Sequence, residues 1–140
     1  MSEAPAGYNA QIIAEFRANH GRVGGRFEGA TLLLLHTTGA KSGTQYTNPV
    51  VYLADGDRYV VFASKAGAPS NPGWYHNLKA HPDVSIEVED ATIEVTASEL
   101  AGPERDRIFA RQTQISPGFA EYQAKTERVI PVIALTPRAS

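Results

Sequence analysis

Three short apolar runs, separated only by turn residues, most strongly limit the folds open to this chain. Residues 31–37 (TLLLLHT) read as a strand that is buried on both faces. Residues 48–54 and 58–64 are rich in β-branched and aromatic side chains, and the Asp55-Gly56 pair between them predicts a hairpin. Because no helical segment separates the three runs, they predict an antiparallel meander.

Two alternating segments and a terminal apolar run extend this sheet. Residues 84–89 and 91–100 alternate apolar and polar side chains, so each strand should have one solvent-facing side. Residues 129–135 predict a sixth strand, and we expect it at an edge of the sheet because Pro131 cannot donate a ladder hydrogen bond. For the same reason we expect Pro49 near the beginning of the second strand.

Helices are predicted near both ends of the sequence, before the first strand and before the last. Residues 8–19 carry an apolar stripe at helical spacing, for which core packing is favoured and contact with a membrane is the alternative. Residues 102–112 and 117–127 predict two short helices near the C-terminus. The fold class is therefore α+β, mostly antiparallel β, as a small closed or split β-barrel with an N-terminal helix. The apolar stripe of the predicted helix over residues 8–19 consists of Ile12, Ile13 and Phe16.

Length and composition are those of one ordinary globular domain. The 140 residues are 42% hydrophobic and 20% charged. They predict a single domain over residues 1–140, with a helix and glycine-rich lead-in at 1–26 and the barrel at 27–137. The net charge of −2 argues against a nucleic-acid partner.

Cysteine and histidine usage removes several kinds of site. The chain has no cysteine, which excludes disulfides, thiol catalysis and cysteine-bound zinc. The four histidines show no ligand spacing, so no metal site is expected. Glu3 stands where a secretory signal would carry positive charge, so we expect a cytoplasmic protein, with membrane association through the N-terminal helix as the alternative.

The stretch TTGAKSG, residues 37–43, follows directly on the first apolar run. In a meander, this loop and the residues after the third strand lie at the same end of the sheet. Lys41 and Lys65 would then converge, together with the hydroxyls of Ser42 and Ser64. Glycines let backbone N–H groups turn toward an anion, and lysines supply charge. The pattern predicts a site for a phosphate or polycarboxylate, and a solvated turn is the alternative.

A predicted helix over residues 70–82 adds to this end of the sheet. Asn71 is the candidate N-cap and Pro72 the first helical residue, and a helix N-terminus attracts anions. Trp74 and Tyr75 in the first turn could stack on a flat ring, with core packing as the alternative. An anion site beside an aromatic pair indicates a phosphorylated, flavin-like cofactor.

Three blocks of the sequence resemble one known family. GAKSG with NPVVYL, then ASKAGAPSNPGWYHNLKAHPDV, then IPVIAL near the C-terminus are similar to the deazaflavin-dependent nitroreductases. These are actinobacterial split β-barrel proteins that use coenzyme F420, and the similarity spans residues 27–137. The resemblance implies an F420H2-dependent oxidoreductase that passes a hydride to a quinone, an α,β-unsaturated carbonyl or lactone, or a nitroaromatic compound. The alternatives are a non-catalytic F420 carrier and a split barrel that uses FMN.

The resemblance also implies roles for individual residues. It assigns the coenzyme phosphate and tail to the two loops and the deazaflavin ring to the predicted helix over 70–82. Phe119 and Tyr122 would wall the pocket of a hydrophobic small-molecule acceptor, and Tyr122 or Ser64 would act catalytically as proton donor. The cofactor-binding residues are then His36, Thr37, Lys41, Ser42, Gly43, Ser64, Lys65, Gly73, Trp74, Tyr75 and Asn77.

Two departures from the family pattern affect the hold on the coenzyme. Ala40 and Tyr46 stand where many members carry basic residues, so the resemblance implies a weaker grip on the anionic tail. An edge strand at 129–135 is compatible with a monomer or a homodimer.

Overall fold

Six strands and four helices make up the part of the chain that the computed structural model describes, residues 6–21, 23, 31–64, 71–127 and 129–138. The strands close into a barrel in the order β1-β2-β3-β6-β5-β4, with every neighbouring pair antiparallel. The predicted α+β barrel and its meander of the first three strands are thereby confirmed. In chain order the elements are α1 (Ala6–Ala18), β1 (Leu32–Thr38), β2 (Gln45–Asp55), β3 (Arg58–Phe62), α2 (Gly73–Ala80), β4 (Asp83–Val88), β5 (Ala91–Leu100), α3 (Gly102–Ile115), α4 (Gly118–Lys125) and β6 (Val132–Pro137).

The barrel interior is filled by alternate residues of its strands. Leu33 and Leu35 of β1 and Val61 of β3 are fully buried there. Trp74 and Leu78 of α2 pack against the same cluster. Because α2 follows β3 and precedes β4, it covers the end of the barrel at which β1 and β3 finish.

Helices also cover two outer faces of the barrel. Ile12 and Phe16 of α1 are buried against Leu32 and Leu34 of β1, so the apolar stripe of α1 packs into the protein, as favoured from the sequence. On the opposite side, α3 and α4 pack on the outer face of β3 and β6 through an aromatic cluster that includes Phe62. Among the described helices, none has the length and apolar character needed to cross a bilayer.

The prediction of an edge position for the last strand is wrong. β6 lies between β3 and β5, with Ile133 opposite Val61 and Leu135 opposite Ala97. Pro131 precedes the strand, and its carbonyl accepts a hydrogen bond from the Ala63 amide at 3.0 Å. Its missing donor therefore removes no ladder bond.

Pro49 lies within β2, which begins at Gln45, three residues before the predicted start. Tyr52 donates its N–H to the Thr31 carbonyl of the β1 side at 3.0 Å, so the even-numbered residues of β2 bond toward β1. The nitrogen of Pro49 therefore points to the other side of the strand, where pairing with β3 begins only at Tyr52. A proline is tolerated there because no strand needs its N–H.

The predicted start of α2 is also wrong. The helix begins at Gly73, its N-cap is Pro72 rather than Asn71, and no side chain caps it. Pro72 has extended backbone angles (φ −68°, ψ 156°), which suit an N-cap and not a first helical residue. Residues 24–26 of the predicted glycine-rich lead-in, the following residues 27–30 and Lys65 lie outside the described residues.

Candidate functional site

The loop after β1 and the first turns of α2 together line an open cavity of about 570 Å³. β1 and β3 both run antiparallel to β2, so the β1–β2 loop and Ser64, which follows β3, lie at the same end of the barrel. As predicted, the β1–β2 loop and Ser64 lie at the same end of the barrel, whereas Lys65 is outside the described residues. The described lining residues are Gly39, Ala40, Lys41, Ser42, Tyr46, Gly73, His76 and Asn77.

Two glycines give the loop its shape, each for a different reason. A Cβ on Gly39 would lie 2.5 Å from Ser42 Oγ and 3.1 Å from Cε2 of Tyr46, so any larger residue would force these side chains to shift. Gly43 has φ +74°, in the left-handed region that side chains disfavour. The turn is closed by bonds from the Gly43 amide to the Gly39 carbonyl (3.1 Å) and from the Gly39 amide to the Thr44 carbonyl (2.7 Å).

Asn77 of α2 connects this loop to the barrel. Its Oδ1 accepts a hydrogen bond from the Ala40 amide at 3.0 Å, which leaves Nδ2 to donate to Thr37 Oγ1 at 3.1 Å. Both side chains are buried, Thr37 almost completely. The structure brings these two predicted residues to the site, and their polar groups bond to each other and to the loop.

Several donors at the tip of the loop remain available to a ligand. Within the described part of the chain, the backbone amides of Lys41 and Ser42 have no hydrogen-bond partner and the Lys41 ammonium has no ion pair. Lys41 is exposed, and no carboxylate is found among the described lining residues. Adjacent N–H groups beside a positive charge form a site that suits a phosphate or carboxylate.

The aromatic pair of α2 lies away from this cavity. Trp74 is buried in the barrel interior, so the alternative of core packing holds for this residue. Tyr75 is half-buried against the same interior cluster of apolar side chains. The Tyr75 hydroxyl donates to Glu99 at 2.8 Å. Burial, and then this carboxylate, raise the pKa of Tyr75, so its phenol stays protonated at neutral pH. Gly73, unlike these two, does line the cavity.

His36 lies on the opposite face of β1 from Thr37. Its Nε2 is 2.7 Å from Glu87 Oε2, and its Nδ1 is 3.0 Å from Thr47 Oγ1. Arg17 of α1 binds the same carboxylate at 2.6 Å and, with His36, holds the pKa of Glu87 below its ordinary value against the opposing effect of burial. The structure does not bring His36 to the loop cavity.

Phe119 and Tyr122 belong to the aromatic cluster under α3 and α4. Phe119 makes edge contacts with Phe62 (centroids 5.6 Å apart) and with Tyr122 (5.3 Å), and both α4 side chains are half-buried. Phe62 precedes Ser64 by two residues, so this pair packs beside the end of β3. Neither residue lines the loop cavity.

Four lining residues are not among the predicted cofactor-binding residues, namely Gly39, Ala40, Tyr46 and His76, although the resemblance marked Ala40 and Tyr46 as positions where basic residues are replaced. Two signals could have found Tyr46 and His76. Tyr46 pairs with Thr37 across the β1–β2 hairpin and so shares its face. His76 follows Gly73 by three residues on α2, which places both on one face of the helix.

Comparisons with known proteins point to one family. Residues 10–137 match the family described as F420H(2)-dependent quinone reductase. An F420H(2)-dependent quinone reductase of Mycobacterium tuberculosis is 46% identical over an alignment of 131 residues, and the alignment covers 89% of this chain and 87% of that protein.

Two solved structures share both sequence and fold with the chain. The structure of an F420-H2-dependent reductase (FDR-A) is 40% identical, with a TM-score of 0.69 over 75% of this chain and 93% of that one. A second, described as a domain-swapped dimer, is 35% identical, with a TM-score of 0.71 over 92% of this chain and 94% of that one.

The loop tip fits a coenzyme with an anionic tail, because the described lining offers the Lys41 ammonium and the backbone N–H groups of Lys41 and Ser42 and contains no carboxylate. The protein is an F420H2-dependent reductase whose coenzyme is F420, and the chain belongs to the F420H(2)-dependent quinone reductase family.

Proposed function

We propose that this enzyme passes the hydride of reduced F420 to a quinone. The family description and the name of the 46% identical relative support a quinone as acceptor. The observation that carries the coenzyme side is the loop tip, where Lys41 and two backbone amides face an open cavity with no described carboxylate.

On the coenzyme side, Lys41 and the amides of Lys41 and Ser42 would hold the phosphate, with Gly43 allowing the turn. Thr37 and Asn77 would fix the loop in the shape that presents those amides. Ser64 stands at the same end of the barrel, and we extend the site to Lys65, which follows it in sequence. When bound, the reduced coenzyme supplies the hydride.

On the acceptor side, the residues that we propose to wall the pocket are Phe119 and Tyr122, beside the end of β3. Their half-buried rings offer an apolar surface to a quinone, and the Tyr122 hydroxyl or Ser64 would donate the proton that completes the reduction. Gly73, Trp74 and Tyr75 remain the residues proposed for the deazaflavin ring, with Trp74 and Tyr75 acting through the packing of α2 against the barrel.

An acceptor comparison tests the choice of quinone. Purified protein is given reduced F420 under anaerobic conditions with a naphthoquinone, an α,β-unsaturated lactone or a nitroaromatic compound, and reoxidation of the coenzyme is followed by absorbance. We expect the highest kcat/KM with the naphthoquinone. A higher value for the lactone or the nitroaromatic compound would reassign the acceptor and leave the F420 chemistry intact.

We also propose a homodimer as the assembly. The support is the 35% identical structure that is described as a domain-swapped dimer. Light scattering of the full chain tests this, and a monomeric mass would reject it. We do not propose membrane contact through α1, because Ile12 and Phe16 of its apolar stripe are buried against β1.

A further inference from the structure

His76 lies on the wall of the coenzyme cavity, and no described interaction ties its ring nitrogens to the fold. Its ring makes an edge contact with Tyr75, with centroids 5.4 Å apart, but neither nitrogen has a hydrogen bond within the described residues. Two other histidines do have partners. His20 Nδ1 is 2.8 Å from Asp90, and His36 Nε2 is 2.7 Å from Glu87.

Asn77 fixes the helix position of His76 beside the β1–β2 loop. His76 directly precedes Asn77, whose Oδ1 binds the Ala40 amide at 3.0 Å, and Ala40 directly precedes Lys41. A single buried side chain thus connects the helix position of His76 to the loop position of Lys41. Both side chains are exposed and both line the same cavity.

We propose that His76, in its protonated form, is a second cationic group of the coenzyme site and binds the anionic tail of F420 together with Lys41. The inference rests on the proposed function, because it concerns the same cavity. Imidazole is the side chain that ordinarily changes charge between about pH 5 and 8. The affinity for an anion should therefore fall as the pH rises through that range.

The charges around His76 support this assignment. Lys41 and Tyr46 share the cavity, Tyr75 contacts the ring, and Lys79 one turn further along α2 is neutralised by Glu99 at 3.0 Å. Among the described lining residues, Lys41 thus carries a charge without an ion pair. A bound anion favours the charged form of a neighbouring imidazole. Coenzyme binding should then take up protons near neutral pH.

A matched pair of histidine variants tests the proposal. The wild type, His76→Gln and His81→Gln are each titrated with oxidised F420 at about pH 6 and about pH 8, and binding is followed by fluorescence. His81 is exposed, follows the last residue of α2 and does not line the cavity, which makes it the control. The ratio of wild-type to variant affinity cancels any titration of the coenzyme itself.

We expect His76→Gln to bind F420 roughly threefold to fivefold more weakly than wild type at the lower pH and nearly equally at the higher pH, as for an exposed charge pair. His81→Gln should match wild type at both, and His76→Lys should keep tight binding at the higher pH. Calorimetry in two buffers of different ionisation enthalpy should show proton uptake that His76→Gln loses.

Two results would overturn the proposal, and they can be distinguished. If the ratio of wild-type to His76→Gln affinity is the same at both pH values, His76 does not bind the coenzyme as a cation, although F420 binding stands. If the wild type binds no F420 at either pH, the coenzyme site itself is misplaced and this inference fails with it.

Discussion

Two neighbouring residues of β1 belong to regions with opposite properties. His36 faces α1, where the Glu87 carboxylate binds both the Arg17 guanidinium at 2.6 Å and the His36 imidazole at 2.7 Å. Thr37 faces the barrel end, where Asn77 and the β1–β2 loop leave Lys41 without an ion pair among the described residues. The first region pairs its charges, and the second leaves donors available.

This difference separates stability from binding. A charge that is already paired contributes to holding α1 on the barrel and offers little to a ligand. A positive charge and N–H groups that lack partners contribute little to folding and can be satisfied by a bound anion. The face of β1 on which a charged residue lies therefore indicates whether it contributes to stability or to binding. Its distance from the site along the sequence does not.

The largest effect should come from removing the side chain that holds the loop. Asn77→Leu leaves the Ala40 amide without its acceptor and Thr37 Oγ1 without its donor, so we expect unfolding free energy to fall by about 2–3 kcal/mol. Coenzyme affinity should fall as well, because the loop loses its fixed shape. Chemical denaturation and F420 titration measure the two losses. The control Thr37→Val removes only one of the bonds, and a loss equal to that of Asn77→Leu would contradict a role for the Ala40 bond.

The next effect should be confined to binding. Lys41→Ala removes a positive charge that has no ion pair among the described residues, and we expect F420 to bind about tenfold more weakly at low salt, and less so at high salt, because ions screen exposed charges. Stability should be unchanged, since Lys41 has no described partner to lose. Lys79→Ala, which breaks the exposed pair with Glu99 outside the cavity, serves as the control. Equal affinities for wild type and Lys41→Ala would remove the anion site from this loop.

A smaller effect, confined to stability, is expected on the other face of β1. The pKa of Glu87 is lowered in the folded protein, chiefly by Arg17, so its contribution is complete above its unfolded-state pKa and is lost as the pH falls through its folded-state pKa. Glu87→Gln should therefore cost about 1 kcal/mol at neutral pH and less on acidification. Thermal unfolding over a pH series measures this. If Glu87→Gln lost F420 affinity and kept its stability, the assignment of one face of β1 to stability and the other to binding would be contradicted.

The smallest expected effect on binding is at the proposed acceptor wall. Tyr122→Phe keeps the ring contact with Phe119 but removes the hydroxyl, so turnover should fall severalfold while F420 affinity stays the same. Steady-state kinetics with a naphthoquinone and a binding titration separate the two quantities. Equal losses in both would remove Tyr122 from a catalytic role.

Much of the barrel follows from local pattern, because short apolar runs joined by turns leave few arrangements of strands. The meander, and with it the meeting of the β1–β2 loop and Ser64, could be predicted for this reason. The place of β6 could not, since barrel closure depends on long-range pairing and a proline before a strand looks like a proline within one.

Within the site, the types of the binding residues could be predicted from the sequence more reliably than the directions in which their side chains point. Lys41, Gly73 and Asn77 were predicted and line the cavity, whereas the predicted His36 and Trp74 lie elsewhere. Which face of a strand or helix meets the ligand depends on packing partners distant in sequence, such as Glu87 for His36. His76 was missed although its three-residue spacing from the predicted Gly73 places both residues on one face of α2.

The most direct test of the division between the two faces of β1 is a crystal structure of the protein with oxidised F420 bound. We predict the coenzyme phosphate within hydrogen-bonding distance of the backbone amides of Lys41 and Ser42 and close to the Lys41 ammonium, with the Arg17–Glu87–His36 group unchanged. A phosphate bound on the α1 side of β1, or bound without contact to residues 39–44, would contradict the account.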